Sequence, residues 1–482
     1  MIKTELTDRD RNTVREARLA LRRLTVYRGL RQDSSFRAMA ELLEMTERDN
    51  PSTDVIDAYH HLFAQIITLA EFSREKPVGD AWQNHLLDLL LADENSFSRK
   101  SELGPVAAGS LRAAAASDLA GLQSLYRLDA ALLRRLAAVL YNTAARKAGD
   151  NTVPAADWPT WDRCSPLPGA GKTFNGDRTR QIKERLAASP AWPGEIESLA
   201  AFYRAAGSGI FGRYKAFRWV PGNTESGLEG VPEPDPIRLN ELIGYRAERE
   251  EVIDNTRQFL RGYRANNVLL YGDRGTGKSS TIKAILNEYA EEGLRLVEVP
   301  KQYLRDFPRL VRALQNRPQR FIVYVDDLSF EENEWEYKEL KAILEGSLAA
   351  RPDNVVIYAT SNRRHLVREW FSDRGAPREI ADADELRQQD TLQEKLSLAD
   401  RFGITVTFTA PDQKQYLEIV EGLATRSRLD IDPKVLRHRA IQWELWHNGR
   451  SGRTARQFID YLEGELGLTA DDEANAPEGE KR

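Results

Sequence analysis

Over residues 54 to 75, 80 to 93 and 117 to 141, leucine and alanine recur at i, i+3 and i+4, the spacing that lines one face of an α-helix. Residues 1–150 are therefore expected to form an all-helical accessory region. From 151 to 236 tryptophan, proline and glycine interrupt every period, which predicts an irregular segment ending in an extended linker through Pro232, Pro234 and Pro236. From 237 to 410 the texture changes again. Short β-branched runs at Asn267 to Tyr271, Arg295 to Val299, Phe321 to Asp326, Val355 to Thr360 and Ile404 to Thr409 read as strands alternating with helices. That alternation predicts an α/β fold, a parallel sheet with helices on both faces and a ligand at the carboxyl ends of the strands. Helical periodicity resumes over 411–468 as a small C-terminal lid, and 469–482 is polar and acid-rich, the composition of a disordered tail.

Composition narrows the class. A chain of 482 residues with 41% hydrophobic and 30% charged positions is long enough for two or three soluble domains. Its formal net charge of -5 supplies no overall positive field for nucleic acid or anionic membrane. Cys164 is the one cysteine, which rules out an intramolecular disulfide framework, and the neighbouring His60 and His61 are not followed by a matching metal-ligand set. No apolar stretch approaches the roughly 20 residues that span a bilayer, and the start lacks a secretion signal, so a cytoplasmic protein without membrane insertion is expected.

The chemistry enters at Gly272-Asp273-Arg274-Gly275-Thr276-Gly277-Lys278-Ser279, which satisfies G-x-x-x-x-G-K-[ST] directly after a strand-like run and before the helix-like run from Ser279 and Ser280 onward. Glycines let backbone N–H groups turn toward a phosphate, Lys278 reaches the β- and γ-phosphates, and the Ser279 hydroxyl is a ligand for Mg²⁺. The segment is thus a phosphate loop for ATP, and the fold of the P-loop NTPase kind. Pro168-Gly169-Ala170-Gly171-Lys172-Thr173 imitates it, but Pro166 stands where the first glycine is required and no strand precedes it.

Phe321 to Val325 is an apolar strand that ends in Asp326 and Asp327, placed as a nucleotide hydrolase places its Mg²⁺ partner and its water-activating base. Asp326 is the expected metal-side residue, with Ser279, and Asp327 the expected base. Asn362 closes the next strand, where its amide can orient the attacking water.

With these parts in this order, residues 237 to 468 resemble the AAA+ ATPases. Leu242-Ile243-Gly244-Tyr245, Asp326-Asp327-Leu328-Ser329-Phe330, the string from Tyr358 to Leu366 and the string from Glu394 to Gly403 are similar to a bacterial AAA+ group known as domain of unknown function family 815. The resemblance implies that Leu242, Ile243, Gly244 and Tyr245 lie against the adenine. It further implies that Arg401 is an arginine finger acting in a neighbouring subunit's site and that Arg456, in preference to Arg453, is the lid's sensor arginine. Most members carry glutamate at the position of Asp327, and a shorter base holds water less well. Glu331 and Glu332 are alternative bases.

Three biological readings follow. The leading one is an ATP-driven homo-oligomer that remodels a protein partner held by the helical N-terminal region. Tyr303 lies where substrate-threading relatives place an aromatic, but without their glycine. The second is a nucleic-acid-associated ATPase of the helicase-loader or initiator kind, suggested by Asp326-Asp327-Leu328, by Arg363, Arg364 and Arg368, and by the aromatic and basic stretch Phe211 to Trp219. For that stretch, docking of the aromatics on the next domain is the stronger expectation. The third is a nucleotide-dependent switch with slow turnover.

Overall fold

The helical periods of the N-terminal half close around a core of leucines and four tryptophans. A computed structural model describes residues 6–47, 54–73, 75–148, 158–164, 174–222, 227–328, 343–344, 352–362, 401–447 and 449–475. The chain divides into two compact units, Met1–Tyr214 and Lys215–Arg482. In the first, the helices are α1 (Asp8–Arg23), α2 (Ser34–Glu44), α3 (Val55–Glu71), α4 (Ala81–Ala92), α5 (Ser96–Leu103), α6 (Ser110–Tyr126), α7 (Ala130–Ala148), α8 (Gly176–Ala188), α9 (Ile196–Ala206) and α10 (Gly209–Arg213). The period expected to run from 117 to 141 is broken at Arg127–Asp129, because Asp129 caps a new helix by accepting from the Leu132 amide at 2.7 Å.

Trp158, Trp161 and Trp192 are buried in the same core as Trp82 from α4, so the segment after residue 150 completes the helical unit instead of linking it onward. The tryptophans that break the helical period, and so read as irregular chain, are core residues. Burying side chains of this size stabilises by about 2 to 3 kcal/mol each. The indole N–H of Trp82 donates to the Leu125 carbonyl and that of Trp192 to the Leu186 carbonyl, so neither leaves an unpaired donor inside. The buried carboxylate of Asp118 accepts from the backbone amides of Thr25, Val26 and Tyr27 at 2.7–3.1 Å and fixes the turn after α1.

The second unit is built on a seven-stranded sheet. Its strands are β1 (Ala216–Trp219), β2 (Leu228–Gly230), β3 (Val268–Gly272), β4 (Leu294–Glu298), β5 (Arg320–Val325), β6 (Val355–Ser361) and β7 (Ile404–Phe408), in the order β2-β1-β4-β5-β6-β3-β7. Only the β1–β2 pair is antiparallel. All seven residues of β6 are buried, and since successive side chains point to opposite faces, both faces are covered. The covering helices include α11 (Arg246–Leu260), α12 (Lys278–Tyr289) and α13 (Phe307–Leu314). The lid is α14 (Gln413–Arg426), α15 (Pro433–Trp446) and α16 (Gly452–Asn475). The α/β fold of the P-loop kind is therefore the fold of this unit.

The sheet begins at Ala216, well before the expected boundary at 237. Phe217 and Trp219 are buried in it, with the Trp219 indole donating to Asp306 at 3.2 Å, and Phe211 is buried in the helical unit. These aromatics present no open face on which a nucleic-acid base would stack. Arg218, between them, is exposed and pairs with Glu298 at 3.3 Å. The imitation loop at 168–173 lies outside the described residues, as do Glu331, Glu332, Arg363, Arg364, Arg368 and residues 394–400 of the string that ends at Gly403.

The early start of the sheet predicts different outcomes for two truncations. A chain beginning at Lys215 should fold cooperatively in urea. One beginning at Ile237 loses β1 and β2, exposes the edge of β4, and should aggregate or unfold at markedly lower urea. Equal stability of the two would contradict this account of the boundary.

Candidate nucleotide site

The phosphate loop gets its shape from its neighbours. Gly272 ends β3 with φ +134°, and a Cβ there would lie 2.0 Å from the Phe408 carbonyl oxygen of β7. Gly275, at φ +74°, has the start of α16 against it: a Cβ would meet the Ser451 hydroxyl at 2.9 Å and Arg453 Cβ at 3.0 Å. At Gly277, φ +94°, a Cβ would meet nothing within 4 Å, so this glycine serves the left-handed turn into α12. Two of the three motif glycines are thus required by the protein's own packing as well as by a phosphate.

Asp273 fastens the loop to the end of β7. Its amide donates to the Phe408 carbonyl at 2.9 Å, and its carboxylate accepts from the Ala410 amide at 2.6 Å. Thr276 donates back to the Asp273 carbonyl at 2.9 Å, closing the loop on itself. Arg274 and Ser280 complete the segment, with Ser280 in the first turn of α12, whose N-terminal amides face the loop.

Lys278 is buried, and its ammonium donates to the carbonyls of Gly272 at 3.0 Å and Asp273 at 2.7 Å. Burial lowers its pKa to about 8, against the opposing pull of Asp273, Asp326 and Asp327. The amine is therefore held inside the loop, close to its titration point.

Across from it, Ser279 donates to Asp326 Oδ1 at 2.8 Å. Thr360, at the end of β6, donates to the same oxygen, and the Asp327 amide donates to it at 3.1 Å and to Thr360 Oγ1 at 3.0 Å. Burial pushes the Asp326 carboxyl up, but hydrogen bonds, led by that from Thr360, hold it below the ordinary carboxylate range, so it stays charged. Ser279 and Asp326 are hard oxygen donors brought together beside the loop. Such a pair suits Mg²⁺, which takes few protein ligands and fills the rest of its octahedron with water and phosphate oxygens. Asp327 sits in the left-handed region at φ 49° and accepts from the Asn362 amide at 2.7 Å. The two residues expected to handle water are thus in contact.

Leu242–Tyr245 form the turn into α11. Tyr245 donates its hydroxyl to the Thr409 carbonyl at 2.6 Å and packs on Phe408, with ring centroids 5.4 Å apart. Ile243 lies against Gly422 of α14, and Gly244 faces Ile419 and Gln415 of that helix. Arg249 binds the Leu242 carbonyl at 2.9 Å. This segment lies between the end of β7 and the lid.

One expected residue lies apart. Arg401 precedes β7 at the end opposite the loop: Ile404 pairs with Val268 where Phe408 pairs with Gly272, a drop of roughly 13 Å along the strand, and Arg401 comes before Ile404 in the chain. Its side chain cannot reach the phosphate loop of its own chain. Arg456 is exposed on α16, and its charge acts on Glu241. The lid residue seated on the loop is Arg453, whose amide donates to the Gly275 carbonyl at 3.2 Å. Thr360 is a site residue that the sequence does not single out, although the β5–β6 register that sets Val325 beside Ala359 brings Asp326 next to it.

The depressed Lys278 gives a pH test. In the free protein the amine is largely charged below about 8 and largely neutral above it. A bound triphosphate favours the charged form, so ATP binding should take up almost no proton at about pH 7 and close to one proton at about pH 9, with affinity falling as pH rises. Calorimetry in buffers of different ionisation enthalpy reads this directly. Lys278→Ala should remove both the uptake and most of the affinity, and unchanged ATP binding by that variant would contradict the site.

Residues 212–466, more than half of the chain, match the family model described as "Protein of unknown function (DUF815)". A 66-residue stretch is 42% identical to the 26S proteasome regulatory subunit 4 homolog of Schizosaccharomyces pombe, covering 13% of this chain and 15% of that protein. A stretch of 68 residues is 40% identical to the regulatory subunit 6B homolog of the same yeast, covering 13% and 17%. The chain thus spans only a small part of these curated relatives. Among solved structures, the RuvB Holliday junction branch migration motor of Thermotoga maritima aligns over 47% of this chain and 72% of its own at 15% identity, with a TM-score of 0.28. The chain belongs to the DUF815 family.

Proposed function

We propose that this protein binds ATP with Mg²⁺ and hydrolyses it in an assembly of like subunits, using the cycle to remodel a protein partner in the cytoplasm. The observation that carries the reading is the hydrogen-bonded row Ser279, Asp326, Thr360, Asp327 and Asn362, which crosses three elements beside the phosphate loop. Lys278 and the loop amides bind the phosphates. Ser279 and Asp326 would hold a Mg²⁺, which would supply neutralisation of charge on the phosphate oxygens. Asp327 would take a proton from the water whose oxygen bonds to the γ-phosphorus as the bond to the β–γ bridging oxygen breaks and ADP leaves, and Asn362 fixes that carboxylate.

The position of Arg401 supports the assembly. An arginine at the far end of β7 has no use in its own site but is suited to a neighbour's, where a guanidinium is worth about 10³ to 10⁵ in rate. Leu242–Tyr245 are assigned to the adenine, and the lid, through Arg453 and Arg456, to sensing the nucleotide. With Phe211, Phe217 and Trp219 buried, the nucleic-acid reading loses its stacking platform, and the protein-partner reading stands ahead of it. No helix among the described residues is long and apolar enough to cross a membrane.

A mixing experiment tests the shared site. Arg401→Ala should bind ATP normally and lose hydrolysis by about 10³-fold or more, and Asp327→Asn should do the same. Mixed in equal amounts, the two should regain part of the wild-type rate, because some interfaces then carry an intact arginine against an intact base. Failure of every mixture to recover activity would remove the trans role of Arg401.

A further inference from the structure

Four helices of the N-terminal unit meet around a pocket of about 250 Å³ that the nucleotide chemistry leaves unused. Asn84 and Asp88 stand one turn apart on α4, Lys183 comes from α8, Phe202 from α9 and Arg213 from α10, while Phe174 forms part of the wall ahead of α8. The buried Asn175 anchors the start of α8 by donating to the carbonyls of Ala206 and Gly212 at 3.3 and 3.0 Å, which holds the pocket's walls together.

The floor is a built polar network. Lys183 is 5% exposed, and its ammonium donates to Asp88 Oδ1 at 2.6 Å and Asn84 Oδ1 at 3.1 Å. The Asn84 amide donates to the other Asp88 oxygen at 2.9 Å, and Asn84 Oδ1 also accepts from the Val78 amide at 3.1 Å. Asp88 is thereby committed to Lys183 and Asn84. The ammonium has three hydrogens and two of these partners, so one remains for a ligand. At the rim Arg213 is exposed and makes no ion pair among the described residues, and Glu75 is the other acid in the lining. An unspent ammonium hydrogen and a guanidinium beside two phenyl rings fit an anion carried next to an apolar side chain. The volume lies below the roughly 300 to 1,000 Å³ of cofactor sites, so it suits one residue.

We propose that this pocket binds an α-carboxylate next to an apolar side chain, with Lys183 and Arg213 on the carboxylate and Phe174 and Phe202 on the side chain. A free apolar amino acid and the C-terminal residue of a polypeptide both offer that chemistry. The site lies wholly in the N-terminal unit and does not depend on the nucleotide reading.

Isothermal titration calorimetry on the full chain tests it with N-acetylphenylalanine, N-acetylphenylalanine amide, free phenylalanine and a hexapeptide ending in phenylalanine. The carboxylate forms should bind, with the amide at least about tenfold weaker. A peptide tighter than free phenylalanine would assign the pocket to a polypeptide end, and the reverse order to the free amino acid. Lys183→Met and Arg213→Ala should each weaken N-acetylphenylalanine by about tenfold or more. Arg213 is exposed, so its variant folds whatever becomes of the buried Lys183 pair. Equal binding of acid and amide, wild-type affinity in Arg213→Ala, or no binding of any probe at millimolar concentration would overturn the proposal.

Discussion

One carboxylate oxygen, Oδ1 of Asp326, takes hydrogen bonds from three separate pieces of the chain: Ser279 in the first turn of α12, Thr360 at the end of β6, and the amide of Asp327 that follows it. Removing it would take the shared acceptor from two hydroxyls, while the Asp327 amide would keep Thr360 Oγ1, at a cost of about 1 to 3 kcal/mol for a buried hydroxyl left unpaired. More important for function, it sets the spacing between the phosphate loop and the strand that carries Asp327. The carboxylate stays ionised because those donors outweigh its burial. A charged oxygen beside a serine hydroxyl is the arrangement that a hard divalent cation requires.

The end of β7 plays the matching role on the other side of the loop. Phe408, Thr409 and Ala410 receive or give hydrogen bonds to Asp273 and Tyr245, and the Phe408 carbonyl closes off the space beside Gly272. These bonds hold the loop open, with Lys278 folded onto its carbonyls. The same strand fixes the distance from the loop to Arg401 at its other end. The proposed assembly of like subunits gives that distant arginine a use, in a neighbour's site. The lid closes the circuit, since Gly275 touches Ser451 and Arg453 while Ile243 and Gly244 touch α14.

The elements that can be read from the sequence are those whose signal is local. The five strands of the core agree with their sequence positions to within a residue or so, because each is a short β-branched run bounded by turns. Lys278 and Ser279 follow from a motif whose spacing reflects the span of a phosphate, and Asp326 from the apolar strand that ends in it. What escapes depends on pairing between distant segments. Ala216–Trp219 reads as part of a basic, aromatic stretch that docks on the next domain, and its strand shows only once β4 is available as its partner. Trp158, Trp161 and Trp192 break the helical period and so look like irregular chain, although they are core. Thr360 is an ordinary strand residue until the register brings it to Asp326. Gly272 reads as a requirement of the phosphate alone, whereas β7 also demands it.

The most direct measurement is the ATP hydrolysis rate per chain, with Mg²⁺ and saturating ATP, over a wide range of protein concentration. If neighbours complete each other's sites, the rate climbs with concentration and then levels off. A rate that is the same at every concentration, whether substantial or near zero, would contradict a site shared between subunits.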